Sequence, residues 1–431
     1  MTTDVFIVDG SRTPFLKAGA KPNPLAAADL AVAAAKPLLE RQPFPASAIG
    51  EVIIGCVGPS ASEVNIGRII ALRAGCGDSV PGWTVQRNCA SGLQAVASAA
   101  QDIATGKHDL VLAGGTEAMS RAAVLFNEKM VNWLGDLSAS KTLLQKLVTI
   151  TQFRPSFLVP VISLLKALTD PVVNLNMGQT AEQVAYQFGV SRLQMDQYAV
   201  QSNLKAAAAI KDNRFKDEIV PLFDFKNKYY VDDNGVRPDS NVEKLATLKP
   251  VFDKPFGLVT AGNSSQLSDG AALVMLASRE AIAKYNLQPL ARIVDVAWVG
   301  LDPAIMGMGP AYAIAALLKK NNLSLNDIDY FEINEAFASQ VLACINVMDD
   351  ADYCREHFGY TAAIGKLDQA KLNVDGGAIA MGHPVGATGA RLVLHLSHVL
   401  RRNNAKLGIA SLCIGGGQGG AMLIENVMGG I

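Results

Sequence analysis

Two distant stretches of this chain close in the same way. A helix opening at Ser91 runs through Lys107-His108-Asp109 into the apolar strand Leu110-Val111-Leu112-Ala113-Gly114-Gly115. A second, opening at Gly386, runs through Asn403-Asn404-Ala405 into Gly408-Ile409-Ala410-Ser411-Leu412-Cys413. Strand–helix alternation surrounds both. The first 120 residues predict strands at Val5–Val8, Glu51–Cys56 and Asp109–Gly114, and helices at Leu25–Arg41, Asn65–Ala74 and Ser91–Thr105. The last part predicts strands at Ala291–Val299, Tyr330–Ile333 and Gly408–Leu412, and helices at Pro310–Asn321, Ala336–Met348 and Gly386–Arg401. Apolar strands separated by helices belong to sheets covered on both faces. The expectation is an α/β fold of two similar halves, with a site between their helix N-termini.

A chain of 431 residues, half of them hydrophobic and 18% charged, has material for two or three units and a large core. Its formal net charge of −1 provides no global field for nucleic acid or anionic membrane, so an anionic ligand must be held by a local cluster. The six cysteines show no C-x-x-C spacing and the five histidines no H-x-x-x-H, which predicts no metal site and a reducing, cytoplasmic setting. Met1-Thr2-Thr3-Asp4 runs straight into a strand, so no secretory or transit segment is expected, and Met428–Ile431 is no peroxisomal address.

Between the halves the composition changes. Leu143–Leu168 is strongly apolar but carries Arg154, Pro155, Pro160 and Lys166, which breaks the run of ~20 apolar residues that a spanning helix needs. Two short helices around the prolines are expected, packed on their own domain or, alternatively, forming a membrane-surface or partner-binding hairpin. Ser191–Lys211 reads as an amphipathic helix and Asp232–Lys249 as a polar loop region.

Four segments carry chemistry. Gln86-Arg87-Asn88-Cys89-Ala90-Ser91-Gly92 delivers a cysteine to the start of an Ala-rich helix. The partial positive charge of a helix N-terminus favours a thiolate and can lower a thiol's pKa from ~8.5 toward neutrality; a buried structural cysteine is the alternative. Asn334-Glu335-Ala336-Phe337 follows a strand and opens a helix, so Asn334 either caps that helix or holds a water or carbonyl oxygen. His383, between Gly382 and Pro384 in a glycine-rich turn, is not expected to pack as a core histidine, and a His beside a Cys activates the thiol. Cys413-Ile414-Gly415-Gly416-Gly417 ends a strand with a second thiol and free backbone N–H groups of the kind that form an oxyanion hole. Gly415, Gly417 and Gly420 spell G-x-G-x-x-G, but too little chain follows for a dinucleotide-binding unit.

Together these segments resemble the thiolase family over nearly the whole chain. The further marks are Ser11-Arg12-Thr13-Pro14-Phe15, Asn176-Met177-Gly178-Gln179-Thr180-Ala181-Glu182, Leu248-Lys249-Pro250-Val251-Phe252, Thr260-Ala261-Gly262-Asn263-Ser264-Ser265 and Gly382-His383-Pro384. The resemblance implies duplicated αβαβα halves with mixed five-stranded sheets. The N-terminal half would comprise 1–120 and 251–285, an inserted loop domain 121–250, and the C-terminal half 286–431. It implies CoA-dependent cleavage of 3-ketoacyl-CoA through an acyl-enzyme on Cys89, with Claisen condensation as the reverse. His383 would take the Cys89 proton and, with a water held by Asn334, bind the thioester oxygen. Cys413 would move the α-carbon proton as a thiol of ordinary pKa, and the N–H groups of Cys89 and Gly415 would form the oxyanion hole. Arg237, Phe252, Ala261 and Ser265 would line the CoA path, and Met177 and Phe337 the acyl pocket. CoA and acetyl-CoA enter as substrates, with no permanent cofactor. A homodimer or homotetramer is implied, with a hydratase/dehydrogenase α subunit as a possible partner.

Two departures leave acyl length open. Short-chain thiolases often carry His where Asn176 stands. The apolar insertion resembles β subunits of fatty-acid oxidation complexes, yet those usually have His at position 334 and Phe-Ala at 385–386. The competing readings are a 3-ketoacyl synthase, which needs no Cys413, and a non-catalytic lipid-binding relative, which should have lost a catalytic residue.

Overall fold

The computed structural model describes residues 4–19 and 21–427. The first half lays down β1 (Val5–Arg12), α1 (Ala27–Glu40), β2 (Glu51–Gly55), α2 (Ile66–Arg73), β3 (Gly82–Val85), α3 (Ser91–Ala104) and β4 (Leu110–Ala118). An excursion follows, with helices α4 (Glu128–Ala139), α5 (Leu143–Thr151), α6 (Met177–Gln187) and α7 (Arg192–Lys211), before β5 (Ser268–Ser278) returns to the sheet. The second half comprises β6 (Ala291–Gly300), α8 (Gly309–Lys320), β7 (Tyr330–Ile333), α9 (Ala338–Met348), α10 (Val385–Arg402), β8 (Leu407–Ile414) and β9 (Gln418–Asn426).

The strand order proves the duplication. In the run β3-β2-β4-β5-β1, β2 lies parallel to both β3 and β4, and β5 and β1 follow antiparallel. In the second half β7 lies parallel to β8 and to a single bridge at Leu372, and β9 and β6 follow antiparallel. Order and sense are the same in both, with the second half's outermost strand reduced to that bridge. Three residue pairs, from Val5↔Ile293 to Ile7↔Ala291, join β1 to β6 and make the two runs continuous.

The helices that begin beside the chemical residues, α3 and α10, lie between the two strand runs, and α10 is buried along almost its whole length. Leu93, Val96, Leu392, Val393 and Leu396 share one buried cluster with Ile53, Val111, Leu412 and Met422 of both strand runs. Each such side chain contributes roughly 1.5–3 kcal/mol on burial. The helix starts reach the strand ends because glycine stands at the crossing. A Cβ on Gly115 would lie 1.8 Å from Gly386 O, so alanine there would force the His383 segment away from the first half.

The return strands β5 and β9 were not expected. β9 opens Gln418-Gly419-Gly420 and reads locally as a turn; it is a strand because α8 packs against it so closely that a Cβ on Gly419 would sit 2.1 Å from Gly309 O. The Ser11–Phe15 motif is structural: Arg12 is fully buried between Glu218 (2.7 Å) and Asp233 (2.8 Å), tying the excursion to β1. Asn176 caps α6 through a reciprocal pair with Gln179.

The 143–168 stretch forms α5, a 3-10 turn at Pro155–Leu158 and a short helix at Ser163–Ala167. The expected packing of this insertion on its own domain is overturned. With α4 it forms a hairpin closed by Val124↔Ile162 and Leu125↔Val161, whose apolar side chains face outward, Leu143 at 75% and Leu144 at 72% exposure. Inside the hairpin a small aromatic stack, Trp133–Phe153–Phe157, and the Trp133 Nε1 bond to Thr149 O (2.8 Å) hold the helices together. Among the described residues no helix is long and apolar enough to cross a membrane.

Candidate active site

Cys89 lies in the turn that starts α3, two residues before Ser91. Asn88 takes a left-handed conformation (φ 45°) that Asn tolerates, and Ser91 Oγ closes the turn by donating to Asn88 O (2.7 Å) and accepting from Arg87 N–H (2.8 Å). Asn88 Nδ2 donates to Gly415 O at 2.8 Å, so the nucleophile turn is fastened to the β8–β9 turn of the other half. The Gly415 and Cys89 N–H groups both act on the Cys89 sulfur. The expectation of a depressed thiol pKa fails, because burial raises Cys89 more than these two N–H groups lower it, and nearby Glu117 adds to the rise.

His383 stands at the corresponding place in the second half, just before α10. It is 6% exposed, more enclosed than the glycine-rich turn suggested. Thr388 Oγ1 donates to Pro384 O (3.0 Å), so it accepts from His383 Nδ1 (2.7 Å). The proton therefore sits on Nδ1, leaving the Nε2 lone pair toward Asn334 Nδ2 at 3.3 Å. Burial, assisted by Arg391, lowers His383 to about 3, so the ring is neutral and basic at Nε2 throughout the physiological range.

Asn334 extends β7, its N–H donating to Ser411 O (2.9 Å). The helix that follows begins only at Ala338 with no side-chain cap, which removes the capping alternative for Asn334. Its Oδ1 is buried without a donor among the described residues. Glu335 beside it accepts from Tyr198 (3.0 Å), Ser202 (2.6 Å), Asn373 (2.9 Å) and Ile379 N–H (3.2 Å), binding this loop to the His383 turn.

Cys413, at the end of β8, is buried in an apolar cluster with Phe337, Ala336, Met306, Ala181 and Val259, against which Met177 and Phe252 pack. Phe252 and Phe337 meet edge-to-face at 6.1 Å. Burial, together with the neighbouring Cys89, pushes the Cys413 thiol well above the ordinary value assumed from sequence. Ser265 N–H donates to Ala336 O and Ala338 N–H to Asn263 O, both at 2.9 Å, stitching the turn that carries Ala261 and Ser265 to the same loop. The loop of Arg237 is held against the His383 turn by Gln266 Nε2, which donates to Gly235 O (3.0 Å) and Ala380 O (3.2 Å).

The fold thus gathers Cys89, Cys413, Asn334, His383, Gly415, Met177, Phe252 and Phe337 at one junction of the halves, with Ser265, Ala261 and Arg237 on the segments bordering it. Sequence reasoning gave no role to Asn88, Thr388, Glu117, Glu335 or Gln266. Glu117 carried a readable signal, as a lone carboxylate in an apolar strand; the others are ordinary turn residues until their partners are seen. The grouping of metal-ligand type found among the described residues is Glu51, Asp102 and His108, and Lys107 already bonds both carboxylates (3.2 and 3.0 Å).

The model of the thiolase N-terminal domain matches residues 5–280, and that of the C-terminal domain residues 287–426. A 3-ketoacyl-CoA thiolase of Bacillus subtilis (strain 168) is 40% identical, covering 98% of this chain and 99% of its own. The mitochondrial trifunctional enzyme subunit beta of Bos taurus is 38% identical, over 98% of this chain and 88% of its own. The crystal structure of human mitochondrial 3-ketoacyl-CoA thiolase in complex with CoA superposes with a TM-score of 0.84 at 38% identity, covering 99% of this chain and 98% of the other. Matched almost end to end by both domain models and by full-length relatives, the chain belongs to the thiolase family.

Proposed function

We propose that this thiolase cleaves 3-ketoacyl-CoA between C2 and C3, using CoA as second substrate and releasing acetyl-CoA and a shortened acyl-CoA. The observation that carries this reading is the junction itself: two thiols, two N–H donors and a neutral imidazole whose free nitrogen is fixed by Thr388. Cys89 begins as a thiol, so it needs a base, and His383 Nε2 is one. The sulfur attacks the C3 carbonyl, whose oxyanion takes the Cys89 and Gly415 N–H groups; losing one such donor costs roughly 3–4 kcal/mol. The C2–C3 bond then breaks, and the acetyl-CoA enolate, its oxygen facing His383 and the amide of Asn334, collects a proton at C2 from Cys413. A second CoA gives its thiol proton back to Cys413 and takes the acyl group from Cys89, whose expelled thiolate recovers its proton from His383. A protonated, raised Cys413 suits the donor half of this cycle. Retention of Cys413 supports this reading over a synthase, and the full set of groups supports an enzyme over a lipid carrier.

Phe252, Ala261, Ser265 and Arg237 would receive CoA, and Met177 and Phe337, with Met306, the acyl chain. The test is thiolysis of a series of 3-ketoacyl-CoAs from short to long chain, followed as loss of the enolate absorbance. CoA-dependent loss at one or more lengths is expected, with the acyl group mapped to Cys89. Absence of turnover at every length would sink the reading in favour of a binding protein.

Assembly is proposed on separate grounds. The outer side of β3 is an unpaired sheet edge, which supports pairing with a second copy. The outward Leu143, Leu144, Leu147 and Leu165 of the hairpin support docking of a hydratase/dehydrogenase subunit, in keeping with relatives named as a beta subunit. Deleting 124–165 is expected to abolish co-purification with that partner while leaving the homo-oligomer's mass intact by sedimentation; unchanged co-purification refutes the docking role. The absence of any C-x-x-C spacing among six scattered, unbridged cysteines supports a cytoplasmic location.

A further inference from the structure

We propose that Glu117, as the carboxylate, is a positioning residue for acyl transfer that clamps the start of α10, and with it His383, to the strand ends behind Cys89. The duplicated topology draws attention to it. The last ladder pairs of the inner parallel strands are Gly55↔Gly115 in the first half and Ile333↔Ser411 in the second. Two residues further along the second member of each pair stand Glu117 and Cys413; one residue beyond the first members stand Cys56 and Asn334. Where the second half holds Cys413 and Asn334, the first half therefore holds Glu117 and Cys56.

Glu117 is only 3% exposed. Its Oε2 accepts from Val57 N–H (2.9 Å) and Gly386 N–H (3.1 Å), and its Oε1 from Gly58 N–H (3.0 Å), with the Cys56 sulfur at 3.8 Å. Gly386 is the second residue of α10, three beyond His383. The fit is close, since a Cβ at 386 would fall 2.8 Å from the carboxylate. A carboxylate can accept all three N–H bonds, whereas a carboxylic acid turns one oxygen into a donor facing N–H groups, so protonation loosens the clamp. The helix N-terminus is also a place where negative charge is stabilised.

Among the titratable groups on the elements around Glu117 are Cys56 after β2, Glu63 in the following loop, Cys89 before α3, Asp269 on β5, His383 before α10, Arg391 and His395 farther along α10, and Asp29 of α1, which pairs with Arg73. Burial raises Cys56, Cys89 and Asp269, and His383 is held at about 3. Burial raises Glu117 to about 7 against the lowering by its three N–H partners. Protonation of Glu117 on acidification, rather than of His383, then sets the acid limb of acyl transfer.

The inference rests on the assignment of Cys89 and His383, and the experiment separates the two. The rate of Cys89 acylation is measured in single turnovers of the full-length protein from pH 5 to 9, with the adduct mapped by mass spectrometry. Wild type should lose about tenfold per pH unit below 7. Glu117→Gln should be at least tenfold slower at pH 8 with KM little changed and the acid limb gone, and Glu117→Asp should restore the limb in part. Alkylation by iodoacetamide, which needs no His383, should remain confined to Cys89 in Glu117→Gln, with the buried Cys344 and Cys354 protected, and so reports that the turn is folded. An adduct on Cys89 with a wild-type rate and an unchanged limb in Glu117→Gln overturns the clamp, as does a wild type with no limb between pH 6 and 8. Absence of a Cys89 adduct in wild type overturns the site assignment instead.

Discussion

Replacing Cys89 by serine is expected to lower thiolysis about a thousandfold or more, with the acyl-enzyme lost from mass spectra. The reason lies in how the site manages one proton. Burial keeps Cys89 a thiol at rest, in spite of the Gly415 and Cys89 N–H groups that favour its anion. His383 is neutral because burial denies it a proton, and its tautomer presents Nε2 as the acceptor. Both shifts disfavour an ion pair at rest, so the thiol yields its proton to His383 only as it attacks; a hydroxyl, far less acidic, cannot be activated by so weak a base. The same balance predicts a pH signature. With the Cys89 pKa raised, the thiolate fraction should climb with pH, so alkylation by iodoacetamide should increase about tenfold per unit between pH 7 and 9 without levelling. A plateau at neutral pH would mean a preformed thiolate–imidazolium pair, contrary to the raised thiol and the lowered imidazole. Retention by Cys89→Ser of more than about a tenth of the wild-type rate would place the nucleophile elsewhere.

Cys413→Ala should divide the cycle. Acylation of Cys89 from a simple acyl-CoA involves no proton at an α-carbon and is expected to survive within a few fold. Hydrogen–deuterium exchange at the methyl group of acetyl-CoA, and with it thiolysis and condensation, should fall by about a hundredfold to ten-thousandfold, the range for loss of a positioned acid or base. The Cys413 thiol sits in an apolar pocket walled by Phe337, Met306 and Ala336, and its sulfur is raised by burial and by Cys89. It is therefore a proton donor at rest and becomes a base only transiently, with the proton passing straight between sulfur and carbon. Exchange followed by NMR in D2O distinguishes the two steps. Loss of Cys89 acylation together with exchange would mean that Cys413 shapes the nucleophile rather than serving the α-carbon.

Much of this protein was legible in its residues. Alternation of apolar strands with helices depends on a period of two against one of 3.6, and on glycines that must stand where chains cross; both are local, and they determined the α/β class, the duplication and the turns bearing Cys89, His383 and Cys413. The identity of the chemical groups was legible for the same reason, since a cysteine at a helix start or a histidine between Gly and Pro announces itself within a few residues. What the tertiary structure alone decided is how those groups behave. His383 is buried and held in one tautomer because Thr388 and Pro384 meet it; Cys89 and Cys413 are raised because both halves close over them; Asn334 faces His383 instead of capping a helix because α9 starts at Ala338. The outward face of the 124–165 hairpin and the clamp of Glu117 on Gly386 belong to the same class. Desolvation and hydrogen-bond partnership are set by residues far apart in sequence, 117 with 386 or 88 with 415, and these meet only when the two halves pack.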